Sequence, residues 1–180
     1  MVRTVRDSSY FAAAPVVGLA VAVIVLVADQ ISKYVMVELI MRPEGVVDAP
    51  YFTAKVIDIL PVFQLRMVWN TGISFSLFDS GTASMISTLI IVQAIILVTI
   101  IWFMWQMETL WMQAALGFIV GGGLGNIVDR ITMGAVADFL HFYWGDWHFP
   151  TFNLADTCIF IGVVIWLLDA FVFRPQHKVR

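Results

Sequence analysis

Four long apolar runs decide what this chain of 180 residues can become. They lie at about 13–37, 83–105, 110–128 and 154–173. Each is long enough to cross a bilayer as a helix, which takes ~20 residues. Composition points the same way. The chain is 61% apolar and 13% charged, where soluble domains run at roughly 45–50% and about 25%. A soluble protein of this size cannot hide so much apolar surface. Disorder requires the opposite balance, low hydrophobicity with high charge. A net charge of −3 and a pI near 5.4 exclude a basic nucleic-acid binder. The expected class is therefore an all-α membrane protein, one integral domain over residues 1–180 with four transmembrane helices.

The first run is too long for the apolar core of a signal peptide and lacks a small-residue cleavage site, so it is read as a spanning helix. Asp29 and Lys33 near its far end then need partners. Orientation follows from the basic residues. Arg3, Arg6, Arg174, Lys178 and Arg180 sit at the two termini, and they are half of the ten Lys and Arg residues. The positive-inside rule puts both termini in the cytoplasm, which an even number of spans permits.

The connection at about 40–80 is then external. Within it, Phe63, Leu65, Met67 and Trp69 alternate with Gln64, Arg66 and Val68. Period-two alternation predicts a half-buried strand, and hence a small extracytoplasmic β-sheet on the membrane surface. Asn70-Thr71-Gly72 follows as a turn signal. The second external connection, about 131–152, carries Phe142, Tyr143, Trp144, Trp147, Phe149 and Phe152. Aromatic residues favour the headgroup level, so this segment is expected to be interfacial.

With this topology the embedded ionisable residues, apart from Asp169, gather at one depth. Asp29 and Lys33 lie at the outer end of the first span. Asn126, Asp129 and Arg130 lie at the outer end of the third, and Asn153 and Asp156 at the outer start of the fourth. Asp138 and Asn70 lie in the external connections. Ionisable groups in a membrane are expensive and usually functional. Asn153 and Asp156 have the spacing of a helix cap with a carboxylate in the first turn. Asn126 and Asp129, three apart, share a helix face. Gly121 and Gly125 allow close helix approach. Two carboxyls brought together here would share one proton, and such a pair can do acid–base work on a peptide bond.

These residues resemble a known family. Gly125-Asn126-Ile127-Val128-Asp129-Arg130, Val136-Ala137-Asp138-Phe139 and Phe152-Asn153-Leu154-Ala155-Asp156 look like motifs of lipoprotein signal peptidase (signal peptidase II). Asp29-Gln30 with Lys33, and Asn70-Thr71-Gly72-Ile73-Ser74-Phe75, resemble its other two. Ile73-Ser74 stands where a small pair is common in the family. The resemblance covers about residues 15–173 and implies an intramembrane aspartyl endopeptidase of the bacterial cytoplasmic membrane. Its substrates would be diacylglyceryl-modified prolipoproteins, cut just before the lipidated Cys. The catalytic pair carries over to Asp138 and Asp156. Asp29, Asn126, Asp129, Arg130 and Asn153 carry over as orienting or substrate-binding residues. Asn70 and Gly72 carry over to a surface loop that closes over substrate. The family is the target of the cyclic peptide globomycin. No cofactor and no metal are implied.

Simpler readings compete at several positions. Asp138 and Asp156 would otherwise be structural caps. Asp129 with Arg130 reads as an ion pair at a helix end, and Asp29 with Lys33 as an i, i+4 pair. Asp169 reads as merely interfacial. Cys158, the single cysteine, has no adjacent base and reads as a packed small residue. His141 and His148 lack the spacing of a zinc protease helix. The rival function is a small proton-coupled transporter or channel subunit, with the acidic residues as a relay spread through the membrane depth.

Overall fold

The computed structural model describes residues 15–46, 51–52, 55–72 and 83–173. The five terminal basic residues and the Ile73-Ser74 pair lie outside them. Four helices are long and apolar enough to cross a membrane. α1 runs Val16–Tyr34 and continues with wider, π-type turns over Val35–Met41. α2 is Ala83–Met104, α3 is Leu110–Met133 and α4 is Leu154–Leu168, the last continued by π-type turns over Asp169–Phe173.

α3 is the hub. It packs against α1, α2 and α4, and it is the most buried of the four. Its consecutive glycines explain how one helix meets three neighbours. Successive residues on a helix point about 100° apart. A side chain at Gly121 would run into the Ala22 carbonyl of α1, one at Gly122 into the Ala155 carbonyl of α4, and one at Gly123 into Leu97 of α2. Without side chains there, all three helices come close enough for van der Waals packing, which drives association where lipid removes the hydrophobic drive. α2, by contrast, turns Ile91, Val92, Ile95, Ile96 and Trp102 outward.

Four antiparallel strands form one sheet in the order β1 (Val56–Leu60), β2 (Phe63–Asn70), β3 (Val136–Trp144), β4 (Trp147–His148). The alternation in β2 is real. Met67 is buried while Arg66 and Val68 are exposed. The sheet is larger than its sequence signal. The reading placed strand only in 40–80, but the aromatic segment supplies β3 and β4. Aromatic side chains pack well on a pleated surface, so the same residues that suit an interface also suit a hairpin. Phe142, Trp144, Trp147 and Phe149 remain exposed on it.

The sheet is fastened to the helices at two points. Met36, Val37 and Met41, in the π-type extension of α1, share a core with Phe52, Met67, Ala137 and Phe139. At the other point, α3 ends on Gly134, whose φ of 77° is the left-handed conformation that terminates helices. β3 starts two residues later, and its Ala137 N–H donates to Asp129 Oδ2 at 3.3 Å. Phe152 then pairs with Leu140 and delivers the chain to α4.

The glycine hub carries a direct expectation. Gly122→Val drives a branched side chain into the Ala155 carbonyl, and overpacking of this kind costs about 1–3 kcal/mol. Thermal unfolding in detergent should show a clearly lower Tm. Ile95→Val on the exposed face of α2 should leave Tm nearly unchanged.

Candidate active site

The site begins with a buried ammonium. Lys33 of α1 lies 2.8 Å from Asp29 Oδ2 and 2.7 Å from Asp129 Oδ2, and its Nζ donates to Asn126 Oδ1 at 3.0 Å. An ammonium has three donors and no acceptor. All three donors are used, which is why Lys33 can sit 3% exposed beside two fully enclosed carboxylates. Asp29 also accepts the Ala155 N–H of α4 at 3.0 Å through Oδ1. The cluster thus joins α1, α3, α4 and, through the Asp129 bond to Ala137, the start of β3.

One expectation is corrected here. Asp129 is paired with Lys33 rather than with its neighbour Arg130. Adjacent helical residues diverge, so Asp129 faces α1 while Arg130 faces α2. Arg130 donates instead to Gln93 Oε1, the Asn126 carbonyl and the Gly72 carbonyl, each at 3.2 Å. Asp169, at the far end of the α4 segment, is also enclosed, at 5% exposure.

Next to the ammonium, three asparagines bring Asp138 of β3 and Asp156 of α4 together. Asn153 Nδ2 donates to Asp138 Oδ1 at 2.8 Å and to Asn126 Oδ1 at 3.1 Å. Asn126 Nδ2 donates to Asp156 Oδ1 at 2.9 Å. Asn70 Nδ2 donates to Asp138 Oδ2 at 3.1 Å, and Asn70 Oδ1 accepts the Gly72 N–H at 3.1 Å. Asn153 is also the N-cap of α4. Its Oδ1 accepts the Asp156 N–H at 3.0 Å, and its own N–H donates to Asp156 Oδ2 at 3.3 Å, closing a capping box. Asp156 therefore caps α4 and takes part in the asparagine network with one side chain.

The two carboxyls differ in burial. Asp138 is 2% exposed. Burial pushes its carboxyl up to about 7, and the Asp156 charge pushes the same way, against hydrogen bonds from Asn70 and Asn153 and the charge of Lys33. Asp156 is more open and faces two cavities. One, of about 280 Å³, is lined by Asn70, Gly72, Gln93, Asn126 and Arg130. The other, of about 660 Å³, is apolar and is walled by Phe149, Phe152, Ile159, Phe160 and Val163. Two neighbouring carboxyl groups, one enclosed and one opening onto a polar cleft and an apolar groove, have the surroundings that proton transfer beside an apolar ligand would need.

All ten residues singled out in the sequence fall in this one network: Asp29, Lys33, Asn70, Gly72, Asn126, Asp129, Arg130, Asp138, Asn153 and Asp156. Two members had no assigned role. Gln30 Nε2 reaches Asp129 Oδ1 at 3.0 Å, and Gln93 joins Arg130 to the Gly123 carbonyl. Their signal was a polar residue inside an apolar run. Cys158 is buried in α4. His141 and His148 bind each other at 2.9 Å on the sheet. Among the described residues no group of three His, Cys, Asp or Glu side chains is placed to hold a metal ion.

Comparison with known proteins adds the lineage. The family model described as Signal peptidase (SPase) II matches residues 21–172. A lipoprotein signal peptidase of Aeromonas hydrophila is 39% identical over 159 residues, covering 87% of this chain and 88% of that protein. Another, from Shewanella sp. (strain MR-4), is 36% identical over 154 residues, covering 84% of each. A solved bacterial membrane enzyme, obtained by the in meso method at 2.3 Å resolution, superposes with a TM-score of 0.69 at 25% identity, over 91% of this chain and 94% of that one. On fold, sequence and the length of the match, the chain belongs to the signal peptidase II family.

Proposed function

We propose that the protein is an intramembrane aspartyl endopeptidase that removes signal peptides from diacylglyceryl-modified prolipoproteins, cutting just before the lipidated Cys. The observation that carries this is the pair Asp138 and Asp156, oriented by Asn70, Asn126 and Asn153 beside an apolar groove. Asp156, on the open side, acts as the base that takes a proton from water. Asp138, with its raised affinity for a proton, hydrogen-bonds the scissile carbonyl oxygen as the neutral acid. As the tetrahedral intermediate collapses, the proton held by Asp156 goes to the leaving amine. Lys33, Asp29 and Asp129 position the pair through Asn126 and Ala155. Asn70, Gly72 and Arg130 frame the polar cleft for the peptide backbone.

The same reading orients the molecule in the bacterial cytoplasmic membrane, with both termini cytoplasmic, the sheet extracytoplasmic and the site at the outer leaflet. It follows from the terminal basic residues and from the clustering of embedded carboxylates at one end of α1, α3 and α4. The exposed aromatic side chains of the β3–β4 hairpin lie among membrane lipids. A cyclic lipopeptide of the globomycin kind would occupy the same clefts. A transporter relay needs carboxylates distributed through the depth, whereas this cluster is confined to one end.

Three outcomes test the proposal. First, purified protein in lipid should cleave a diacylated prolipoprotein peptide and leave its unlipidated twin largely intact. Asp138→Asn and Asp156→Asn should each lower kcat by about 10²–10⁴-fold while preserving the fold. Near-normal cleavage by either variant would sink the dyad. Second, the rate should fall as pH rises through about 7, because a carboxyl with raised affinity keeps its proton below that pH and loses it above. In Asp138→Asn, the residual rate should lack that limb. Third, Lys33→Met strands two buried carboxylates and should destabilise the protein by about 3–5 kcal/mol in denaturation experiments. Adding Asp29→Asn and Asp129→Asn should recover much of that loss.

A further inference from the structure

Gln93 is a polar side chain halfway along α2, the helix with the least buried surface. Its amide uses both ends. Nε2 donates to the Gly123 carbonyl of α3 at 3.1 Å, and Oε1 accepts from Arg130 Nη1 at 3.2 Å. The reverse orientation would set oxygen against carbonyl and NH₂ against guanidinium, so the network itself fixes the assignment. Interhelical glue alone requires only the first bond.

The second bond has consequences further along. The guanidinium is a rigid planar fork, so fixing Nη1 also fixes Nη2. Nη2 donates to the Gly72 carbonyl at 3.2 Å. The Gly72 N–H donates to Asn70 Oδ1 at 3.1 Å. The Asn70 amide is planar too, so its Nδ2 is then directed at Asp138 Oδ2, 3.1 Å away. Every link in this path is a directional hydrogen bond between groups with little freedom of their own. The path runs from the lipid-facing helix to the more buried member of the dyad.

We propose that Gln93 is a positioning residue, acting through Arg130, Gly72 and Asn70 to hold the donor that orients Asp138. This rests on the proteolytic reading of the site. Gln93 touches neither carboxylate. It fixes where the polar cleft ends and which way Asn70 points. Through it, the seating of α2 on α3 becomes a condition for an aligned dyad.

The test is a double-mutant cycle in the full-length protein in lipid, with the diacylated peptide as substrate. Gln93→Met keeps the length and removes both hydrogen bonds. It should lower kcat/KM roughly ten-fold in the wild-type background and very little in an Asn70→Ala background, because the path is already cut there. The alkaline limb of the rate profile should also move to higher pH in Gln93→Met, since the Asn70 hydrogen bond favours ionised Asp138. Gln93→Glu keeps the acceptor for Arg130 but loses the donor to the Gly123 carbonyl, so it should lose less activity than Gln93→Met, and an equal or greater loss would count against the path through Arg130. Fully additive losses, or an unmoved limb with the Gln93→Met rate equal to wild type, would overturn the positioning role. Failure of the wild-type protein to cleave the peptide would instead overturn the proteolytic reading.

Discussion

The Lys33 ammonium is the interaction on which the rest of the structure depends. A lone charge in this setting costs several kcal/mol, and a lone carboxylate no less. Here one cation serves two carboxylates from different helices and an asparagine from a third position. None of the groups can be withdrawn cheaply, so the helices are held in one mutual register. That register then places Asn126 and the Ala155 N–H, and these in turn place Asp156. Asp138 and Asp156 are the last members of a series that starts with charge neutralisation.

The choice of asparagine around the dyad follows from the same constraint. Each amide both donates and accepts, so it can bridge two carboxyl groups without adding charge to a site that already holds several. Asn153 shows the economy of this. It caps α4, touches Asp138 and accepts from Asp156's own backbone. Differences in burial do the rest. Enclosure raises the proton affinity of Asp138, while Asp156 faces the cavities. Two identical side chains thereby come to sit in different surroundings, one enclosed and one facing open space. The proposed substrate, part lipid and part peptide, would meet an apolar groove on one side of Asp156 and a polar cleft on the other.

Much of this was legible in the chain. Length and apolar content announce the spanning helices, because lipid leaves few alternatives. The spacing of Asn153 and Asp156 announces the cap that forms, and the motifs around Asp138 and Asn126 hold residues that meet in one hydrogen-bond network. Other features depend on contacts that no local pattern encodes. Val68 pairs with Asp138 across the sheet, and nothing in either segment specifies the other. The aromatic residues of 142–149 satisfy an interface and a hairpin equally well, so composition cannot choose. Asp129 and Arg130 look like a pair when written side by side, yet the helix sends them to different neighbours. Gln93 carries no periodic signal at all. Its meaning lies in Arg130, and that becomes visible only once α2 is seated on Gly123.

The central claim is that Asp138 and Asp156 form one proton-sharing pair. Infrared difference titration of the carboxyl bands, with Asp138 assigned by its loss in Asp138→Asn, tests this most directly. The account expects Asp138 to titrate at about 7, and to titrate lower in Asp156→Asn, where the neighbouring charge is gone. An Asp138 that titrates in the ordinary carboxylate range, or whose midpoint is the same with and without the Asp156 charge, would contradict it.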